Sequence, residues 1–111
     1  MNPQFIEDMR QEFHRGTMAL MVLSELQEEH YGYTLRKALA GHGVAIDDGT
    51  MYPLLRRFEA KGFIEGEWRE AGNRRRCFYR LSPEGREFLR IFREEIDEEW
   101  QYLKSVMEGI S

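Results

Sequence analysis

The residues best suited to recognition chemistry in this chain are arginines and tyrosines in two short stretches. The first stretch, residues 47–62, carries Tyr52 and Arg56 about one helical turn apart. The second carries three consecutive cations, Arg74-Arg75-Arg76, next to the turn residue Asn73. A guanidinium presents a rigid fork of N–H donors that matches phosphate oxygens and the O6/N7 edge of guanine. Both stretches therefore indicate contact with a polyanion such as double-stranded DNA.

The sequence contains none of the common patterns of catalytic or metal sites. There is no glycine-rich phosphate loop, no His-Glu-x-x-His pattern and no nucleophile elbow. The three histidines have no ligand spacing with one another or with the single cysteine, Cys77. A single cysteine cannot form an internal disulfide, which favours a reducing cytoplasm. We therefore predict a cytoplasmic protein that is not an enzyme and holds no metal or cofactor.

Charge is distributed unevenly along the 111 residues, whose net charge is −4. Residues 31–81 carry ten Lys/Arg against six Asp/Glu, whereas residues 1–30 carry two against six and residues 82–111 carry four against eight. Local potential governs binding to a polyanion more than total charge does, so the negative balance does not exclude nucleic acid. No stretch approaches the roughly 18 apolar residues of a membrane span, and the acidic N-terminus is not a secretory signal.

Residues 47–62 are predicted to form a short helix with one buried face. Asp47, Asp48 or Thr50 can cap its start, and Lys61-Gly62 is typical of a helix end. The apolar side chains recur at i, i+4 and i+7, which places them on one stripe: Met51, Leu55 and Phe58.

The position of Pro53 is compatible with more than one N-cap residue for this helix. If Thr50 is the cap, Pro53 falls in the first turn, where its missing N–H costs little. If Asp48 is the cap, one helical hydrogen bond is lost.

Three more helices are predicted upstream, over Pro3–Arg15, Met18–Gln27 and Thr34–Ala40. Gly16-Thr17 is expected to break and recap the chain, and Tyr31-Gly32-Tyr33 is expected to form a turn. Two short helices joined through a turn that contains glycine are typical of a helix-turn-helix, in which the second helix recognises DNA.

A β-hairpin is predicted to follow the recognition helix. Phe63–Arg69 and Arg76–Leu81 alternate like strands, and Ala71-Gly72-Asn73 supplies the turn, which places Arg74-Arg75-Arg76 at the tip. Cys77 is expected to face inward as a small core residue. Helix, strand, basic turn and strand are the elements of a winged helix.

A long C-terminal helix is predicted from Ser82-Pro83-Glu84, a strong start signal, to about Glu108. Its apolar residues follow a near-heptad spacing: Leu89, Phe92, Ile96, Trp100, Leu103, Met107 and Ile110. This stripe is longer than the small domain can cover, so we predict that two such helices pair between subunits; the less favoured alternative is that the helix folds back on its own domain. In the first helix, Phe5, Met9 and Phe13 share a face that packs either on its own domain or on a second subunit.

The predicted fold is mainly α with a small β-hairpin, a winged helix-turn-helix followed by a dimerisation helix. The expected boundaries are a DNA-binding domain over residues 1–81 and the dimerisation helix over residues 82–111.

The chain also resembles the PadR-type bacterial winged-helix transcriptional regulators, and the resemblance covers nearly its whole length. The segments that carry it are Arg15-Gly16-Thr17, Tyr31-Gly32-Tyr33, the run from Gly49 to Glu59, Lys61-Gly62-Phe63-Ile64, and Phe78 to Gly85. The Tyr-Gly-Tyr and Gly-Thr-x-Tyr-Pro-Leu-Leu elements in this order are specific, and the single C-terminal helix is similar to that of the compact subgroup.

This resemblance implies a homodimer that binds two-fold-related operator DNA, usually as a repressor, and releases it on a small-molecule or stress signal. In some compact members, flat aromatic compounds bind between the subunits against an aromatic residue of the last helix. Ile96 stands at about that position here, with Trp100 one turn later. A small aromatic effector is thus a further expected partner. Asp47-Asp48 replaces the small hydroxyl residue or proline that commonly precedes Gly-Thr in the family.

The candidate DNA-binding residues lie on the two helix-turn-helix helices and on the wing: Tyr33, Lys37, Thr50, Tyr52, Pro53, Arg56, Arg74, Arg75 and Arg76. For Tyr33, packing in the core is an equally weighted alternative. The candidate dimer or ligand residues lie on the first and last helices: Phe5, Met9, Phe13, Phe92, Ile96, Trp100, Leu103 and Met107.

Two other functions are compatible with the sequence. The net negative charge and Asp47-Asp48 would suit a winged-helix module that binds protein, and Trp100 would suit a multidrug sensor whose main site is the dimer cavity.

Overall fold

A computed structural model describes residues 1–110 and shows four helices and one antiparallel hairpin. The elements in chain order are α1 (Pro3–Glu25), α2 (Gly32–Gly41), α3 (Asp48–Ala60), β1 (Ile64–Ala71), β2 (Arg74–Leu81) and α4 (Pro83–Met107). The predicted class, mainly helical with a small hairpin, is confirmed.

The predicted break in the first helix is wrong, because α1 runs without interruption from Pro3 to Glu25. Thr17 does not cap a new helix; its hydroxyl lies 3.2 Å from the carbonyl oxygen of Phe13, one turn earlier in the same helix. A glycine within a helix costs only about 1 kcal/mol relative to alanine. The burial of Val22 and Leu23 in the second half of α1 stabilises the helix by more than the glycine destabilises it.

The predicted turn at residues 31–33 is also corrected, because α2 already begins at Gly32. Tyr31 is the N-cap residue, and its backbone N–H donates to the Thr34 hydroxyl at 3.1 Å. The Thr34 hydroxyl thus accepts a backbone N–H at the helix start, and no turn is needed to give that N–H a partner. At the other end α2 stops at Gly41, one residue beyond the predicted end at Ala40, and Gly43 follows in the left-handed region at φ +85°.

The cap of α3 is Asp47, whose carboxylate accepts the Thr50 N–H at 2.8 Å. Pro53 therefore lies inside the helix, and the hydrogen bond that a residue there would donate to Gly49 is missing. The predicted buried stripe of Met51, Leu55 and Phe58 is confirmed.

The hairpin is longer than predicted, and this moves the three arginines out of its tip. Ala71 pairs with Arg74, so the turn consists of Gly72 and Asn73, with Gly72 at φ +67°. Arg74, Arg75 and Arg76 form the first residues of β2 and alternate between its two faces. Pairing with β1 satisfies their backbone groups, which explains why three bulky cations stand in a strand. His30 adds a single antiparallel bridge to Tyr79.

The core lies where the second half of α1 meets α2, α3 and the base of the hairpin. Its buried apolar residues are Val22, Leu23, Leu26, Leu35, Leu39, Met51, Leu54, Leu55, Phe58, Ile64 and Leu81. α4 joins it only through its first turns, where Gly85 is buried and Phe88 and Leu89 are partly buried.

The outer parts of the two terminal helices remain uncovered. In α1, Phe5 is 66% and Met9 is 68% exposed, and in α4, Trp100 is 51% exposed. Of the two alternatives for the α1 face, packing on its own domain is therefore wrong. Within residues 1–110, no helix is long and apolar enough to cross a membrane.

Candidate nucleic-acid interface

The exposed face of α3 carries the predicted recognition residues. Tyr52, Pro53 and Arg56 lie at the surface, while Met51 and Leu55 in the same turns are fully buried. This contrast follows from the 3.6-residue period of the helix, which turns neighbouring side chains to opposite sides. Because the buried stripe is anchored in the core, the exposed side chains project from a rigid ridge.

α2 carries two more of the helix-turn-helix candidates, Tyr33 and Lys37. Tyr33 is 50% exposed, so the alternative that it packs in the core is wrong. The Lys37 ammonium lies 5.3 Å from the centroid of the Tyr33 ring. Lys37 belongs to a small cleft that it shares with Tyr33 and Arg36, at the far side of α2.

The wing arginines are held against aromatic rings. The Arg76 guanidinium lies 4.5 Å from the Tyr31 ring centroid, and Arg75 lies 5.6 Å from that of Trp68. Tyr31 in turn stacks on Tyr33, with 6.4 Å between ring centroids. Stacking on aromatic faces limits the motion of an arginine side chain while leaving its N–H edge free to donate.

A cleft of about 590 Å³ separates the wing from the helix-turn-helix. It brings together five of the nine predicted DNA-binding residues: Tyr33, Tyr52, Arg74, Arg75 and Arg76. Thr50 and Pro53 instead line a second cleft on the other side of α3.

The cleft also contains residues that sequence reasoning did not assign to the site, namely Tyr31, Arg36 and Trp68. Arg36 is a cation on the same helix as Tyr33 and Lys37, so its charge was the available signal. Trp68 is 60% exposed on the cleft face of β1, and only the strand register reveals that it stands opposite Cys77. Cys77 itself is half-buried in the cleft wall and is not a core residue as predicted.

Asp48 introduces a negative charge into this basic cleft. It forms an ion pair with Arg36 across the space between α2 and α3. Of the two acids that enter α3, Asp47 is occupied with capping Thr50, and Asp48 neutralises one of the four arginines that line the cleft. The cleft keeps a net positive charge, but its positive potential is weaker than its four arginines alone would produce.

The face of the wing that carries Arg69, and Arg76 on the paired strand, is tied to the body of the protein. Arg69 donates two hydrogen bonds to Glu29, at 2.8 and 2.6 Å, and one to Glu67 at 3.0 Å. The hydrogen bonds that Arg69 donates lower the pKa of Glu29, and the same bonds, together with the one donated to Glu67, raise the pKa of Arg69. Arg69 also lies 4.5 Å from the Phe78 ring centroid. These contacts set the angle at which the wing leaves the domain.

Titratable groups beneath the cleft do not form a catalytic or metal centre. Burial, followed by a hydrogen bond with Cys77, raises the pKa of Tyr79, so its phenol stays neutral at physiological pH. Across residues 1–110, no three His, Cys, Asp or Glu side chains are grouped so that they could hold a metal ion.

A second candidate surface lies between α1 and α4. A groove of about 600 Å³ there brings together five of the eight predicted dimer residues: Phe13, Phe92, Ile96, Trp100 and Leu103. The other three, Phe5, Met9 and Met107, lie outside this groove and are more than half exposed.

The comparisons with known proteins agree with this architecture. Residues 19–91 match the "Transcriptional regulator PadR-like family". The chain is similar to the transcriptional regulator Rv3488 of Mycobacterium tuberculosis, with 36% identity over 88 residues that cover 78% of this chain and 82% of that protein.

Solved structures show the same likeness. A PadR family transcriptional regulator from Eggerthella lenta superposes with a TM-score of 0.89 and 36% identity, covering 96% of each chain. A PadR-like transcriptional regulator from Bacillus cereus gives a TM-score of 0.76 with 27% identity, covering 88% of this chain and 98% of that one. These relatives are regulators and not enzymes, as the sequence predicted. The fold, the basic cleft beside α3 and these matches together show that the chain belongs to the PadR-like family of transcriptional regulators.

Proposed function

We propose that this protein is a homodimeric, sequence-specific DNA-binding regulator, a repressor that a small-molecule or stress signal releases from its operator. The observation that carries the proposal is the segregation of charge and aromatic surface. Four arginines and five aromatic side chains meet in one cleft beside α3, on a chain whose net charge is −4. Such a local positive surface is what a polyanion requires.

In the proposed complex, α3 lies in the major groove and the wing follows the neighbouring backbone. Arg56, at the exposed centre of α3, reads guanine through two parallel hydrogen bonds, which a lysine cannot make. The side chains that position α3 in the groove are Tyr33, Lys37, Thr50, Tyr52 and Pro53. Arg74, Arg75 and Arg76 contact phosphates or the minor groove and contribute affinity with little sequence preference.

The uncovered apolar faces of α1 and α4 support a homodimer. Large apolar side chains that are 36–82% exposed between Ile91 and Met107 of α4 are unusual for a monomer in water. Pairing of α4 with its copy, assisted by α1, covers this stripe. A two-fold dimer presents two α3 helices to two half-sites of an operator.

Ligand sensing is the second candidate function, and the groove at Trp100 favours it. The groove is lined by apolar side chains and by the carboxylates of Glu95, Asp97 and Glu99. An aromatic ring next to carboxylates suits a flat, cationic, aromatic effector. Quenching of tryptophan fluorescence by such compounds tests this role, and its absence in a protein that binds DNA would argue against it.

The DNA-binding surface is tested by reversing charge on the wing. The variant Arg74→Glu/Arg75→Glu is expected to lose DNA binding and to remain a folded dimer, because both side chains are exposed. The matched control is Arg86→Glu/Arg90→Glu, which changes the net charge equally at exposed positions on α4. Retained binding by the wing variant, or equal loss in both variants, would refute the assigned surface.

A further inference from the structure

A second cleft, of about 530 Å³, lies on the side of α3 that faces away from the wing. One wall is the outer edge of α3 and the other is the middle of α1. The lining residues are Gln11, His14, Arg15, Met18, Gly49, Thr50, Pro53, Leu54 and Arg57. α3 therefore forms a ridge between two clefts of similar size.

The middle of α1 presents two different faces. One face lines the second cleft and consists of residues 11, 14, 15 and 18. The other face lines the apolar groove between α1 and α4 and consists of residues 12, 13, 16, 17 and 20. Both sets follow helical spacing, so one helix serves both surfaces without conflict. The side chain of Arg15 is thus free of the proposed dimer surface.

The charges on the two faces have opposite signs. The second cleft, between α1 and α3, is lined by Arg15 and Arg57 and by no carboxylate. The groove between α1 and α4 is lined by four carboxylates: Glu12, Glu95, Asp97 and Glu99. The one ion pair of Arg15 among the described residues is with Glu12 at 3.7 Å, and both side chains are largely exposed. A pair of this kind contributes little, so a phosphate can replace Glu12 readily.

The major groove of B-DNA is about 12 Å wide and is bordered by two phosphate backbones, and an α-helix with its side chains nearly fills it. A helix in that groove therefore has one backbone on each side. The wing and α2 provide cations on one side of α3. We propose that Arg15 of α1 and Arg57 of α3 form a second phosphate clamp on the other side, which binds the opposite backbone. This proposal rests on the proposed DNA-binding function and extends the interface to α1.

The test is to measure how Arg15→Gln and Arg57→Gln affect binding to two duplexes of unrelated sequence. Affinity is expected to fall on the order of threefold to tenfold for each arginine, equally on both duplexes, because phosphate contacts carry no sequence information. The slope of log affinity against log salt, between about 50 and 200 mM, is expected to decrease by about 0.9 for each lost contact. Arg90→Gln on α4 is the matched control and should leave affinity and slope unchanged.

The outcomes separate the clamp from the function on which it rests. An unaltered salt slope in both variants, with wild-type protein that binds DNA, would overturn the clamp alone. A loss confined to one duplex would also overturn it, because that pattern indicates base reading. If the wild-type protein binds no duplex at any salt concentration, the proposed function fails with it. Both arginines are exposed, so thermal unfolding should show that the variants remain folded.

Discussion

Tyr52 occupies a position that links the recognition helix to the start of α2. Its hydroxyl lies against Gly32, where an added Cβ would overlap with it. The absence of a side chain at Gly32 thus leaves room for the Tyr52 hydroxyl; an unusual backbone angle is not the reason for glycine, since Gly32 has no positive φ. The close approach of the α2 backbone therefore fixes the position of Tyr52, a side chain proposed to contact DNA.

Replacing Gly32 with alanine should therefore reduce DNA binding more than it reduces stability. The new methyl group would push the flexible end of the Tyr52 side chain away, and the proposed contact would be lost at a cost of about 1–3 kcal/mol in binding. Fluorescence anisotropy and thermal unfolding measure the two effects separately. Gly41→Ala, at the end of the same helix with open space around it, is the control and should bind DNA normally. Unchanged binding by Gly32→Ala would show that Tyr52 has no role.

The residue pattern alone was sufficient to assign the faces of α3, because burial there follows a simple helical period. It could not reveal the stacking of Arg76 on Tyr31, since the two residues are far apart in the sequence and meet only after the hairpin folds back. Trp68 was missed for the same reason. Its place in the cleft depends on the strand register, which was not predicted, and both strands were predicted two residues short at the turn.

The wing is the element whose position depends most on electrostatics. A two-stranded hairpin is marginal by itself, and only the base of this one is fixed in the core through Ile64 and Leu81. Further out, the contact of Arg69 with Glu29 joins the wing to the segment between α1 and α2. The orientation of the proposed DNA-binding arginines therefore depends on the ion pair of Arg69, which lies directly opposite Arg76 in the hairpin.

Removing this ion pair should produce a pH-dependent loss of stability. The pKa of Glu29 is lowered in the folded protein, so its contribution to stability is present above its ordinary pKa of 4.5 and is lost as pH falls through the lowered folded-state pKa. Glu29→Gln should accordingly melt at a lower temperature than wild type near pH 7, and the difference should vanish in acid. Thermal unfolding across this pH range measures it. The neighbouring Glu28→Gln should show no such trend, and an equal, pH-independent loss in both variants would contradict this role of Glu29.

The sequence predicted the elements themselves with more success than their boundaries. Strong signals such as the Ser82-Pro83 start of α4 were sufficient, because capping is a local interaction. The continuity of α1 through Gly16 was not predictable in this way. Packing of Val22 and Leu23 against α2 and α3 stabilises the helix, and those partners are distant in the sequence.

The whole molecule is elongated, with dimensions of 55 × 33 × 24 Å and a radius of gyration of 16.6 Å. A compact domain of this length would have a radius of about 13 Å. The difference arises because α4 and the first half of α1 extend beyond the core and keep their apolar faces exposed. A shape of this kind is unfavourable for a monomer and suits the proposed pairing of two chains.

A carboxylate placed in the α4 seam should dissociate the proposed dimer. Leu103→Glu would bury a charge at the interface, which should weaken association roughly a hundredfold or more. Tyr102→Glu is the matched control, because Tyr102 is 60% exposed and lies outside the groove that includes Leu103. Sedimentation velocity should show a monomer for the first variant and a dimer for the second. A wild-type protein that sediments as a monomer would contradict the dimer altogether.

Sequence-specific DNA binding is tested by measuring the affinity of the purified protein for the DNA upstream of its own gene, by fluorescence anisotropy across a salt series. A regulator that neutralises about six phosphates should lose affinity steeply, with a slope near −0.9 for each phosphate, and should bind this DNA far more tightly than unrelated sequences. Weak binding that is equal on all sequences, or binding that salt does not affect, would contradict the account and would favour a winged helix that recognises protein.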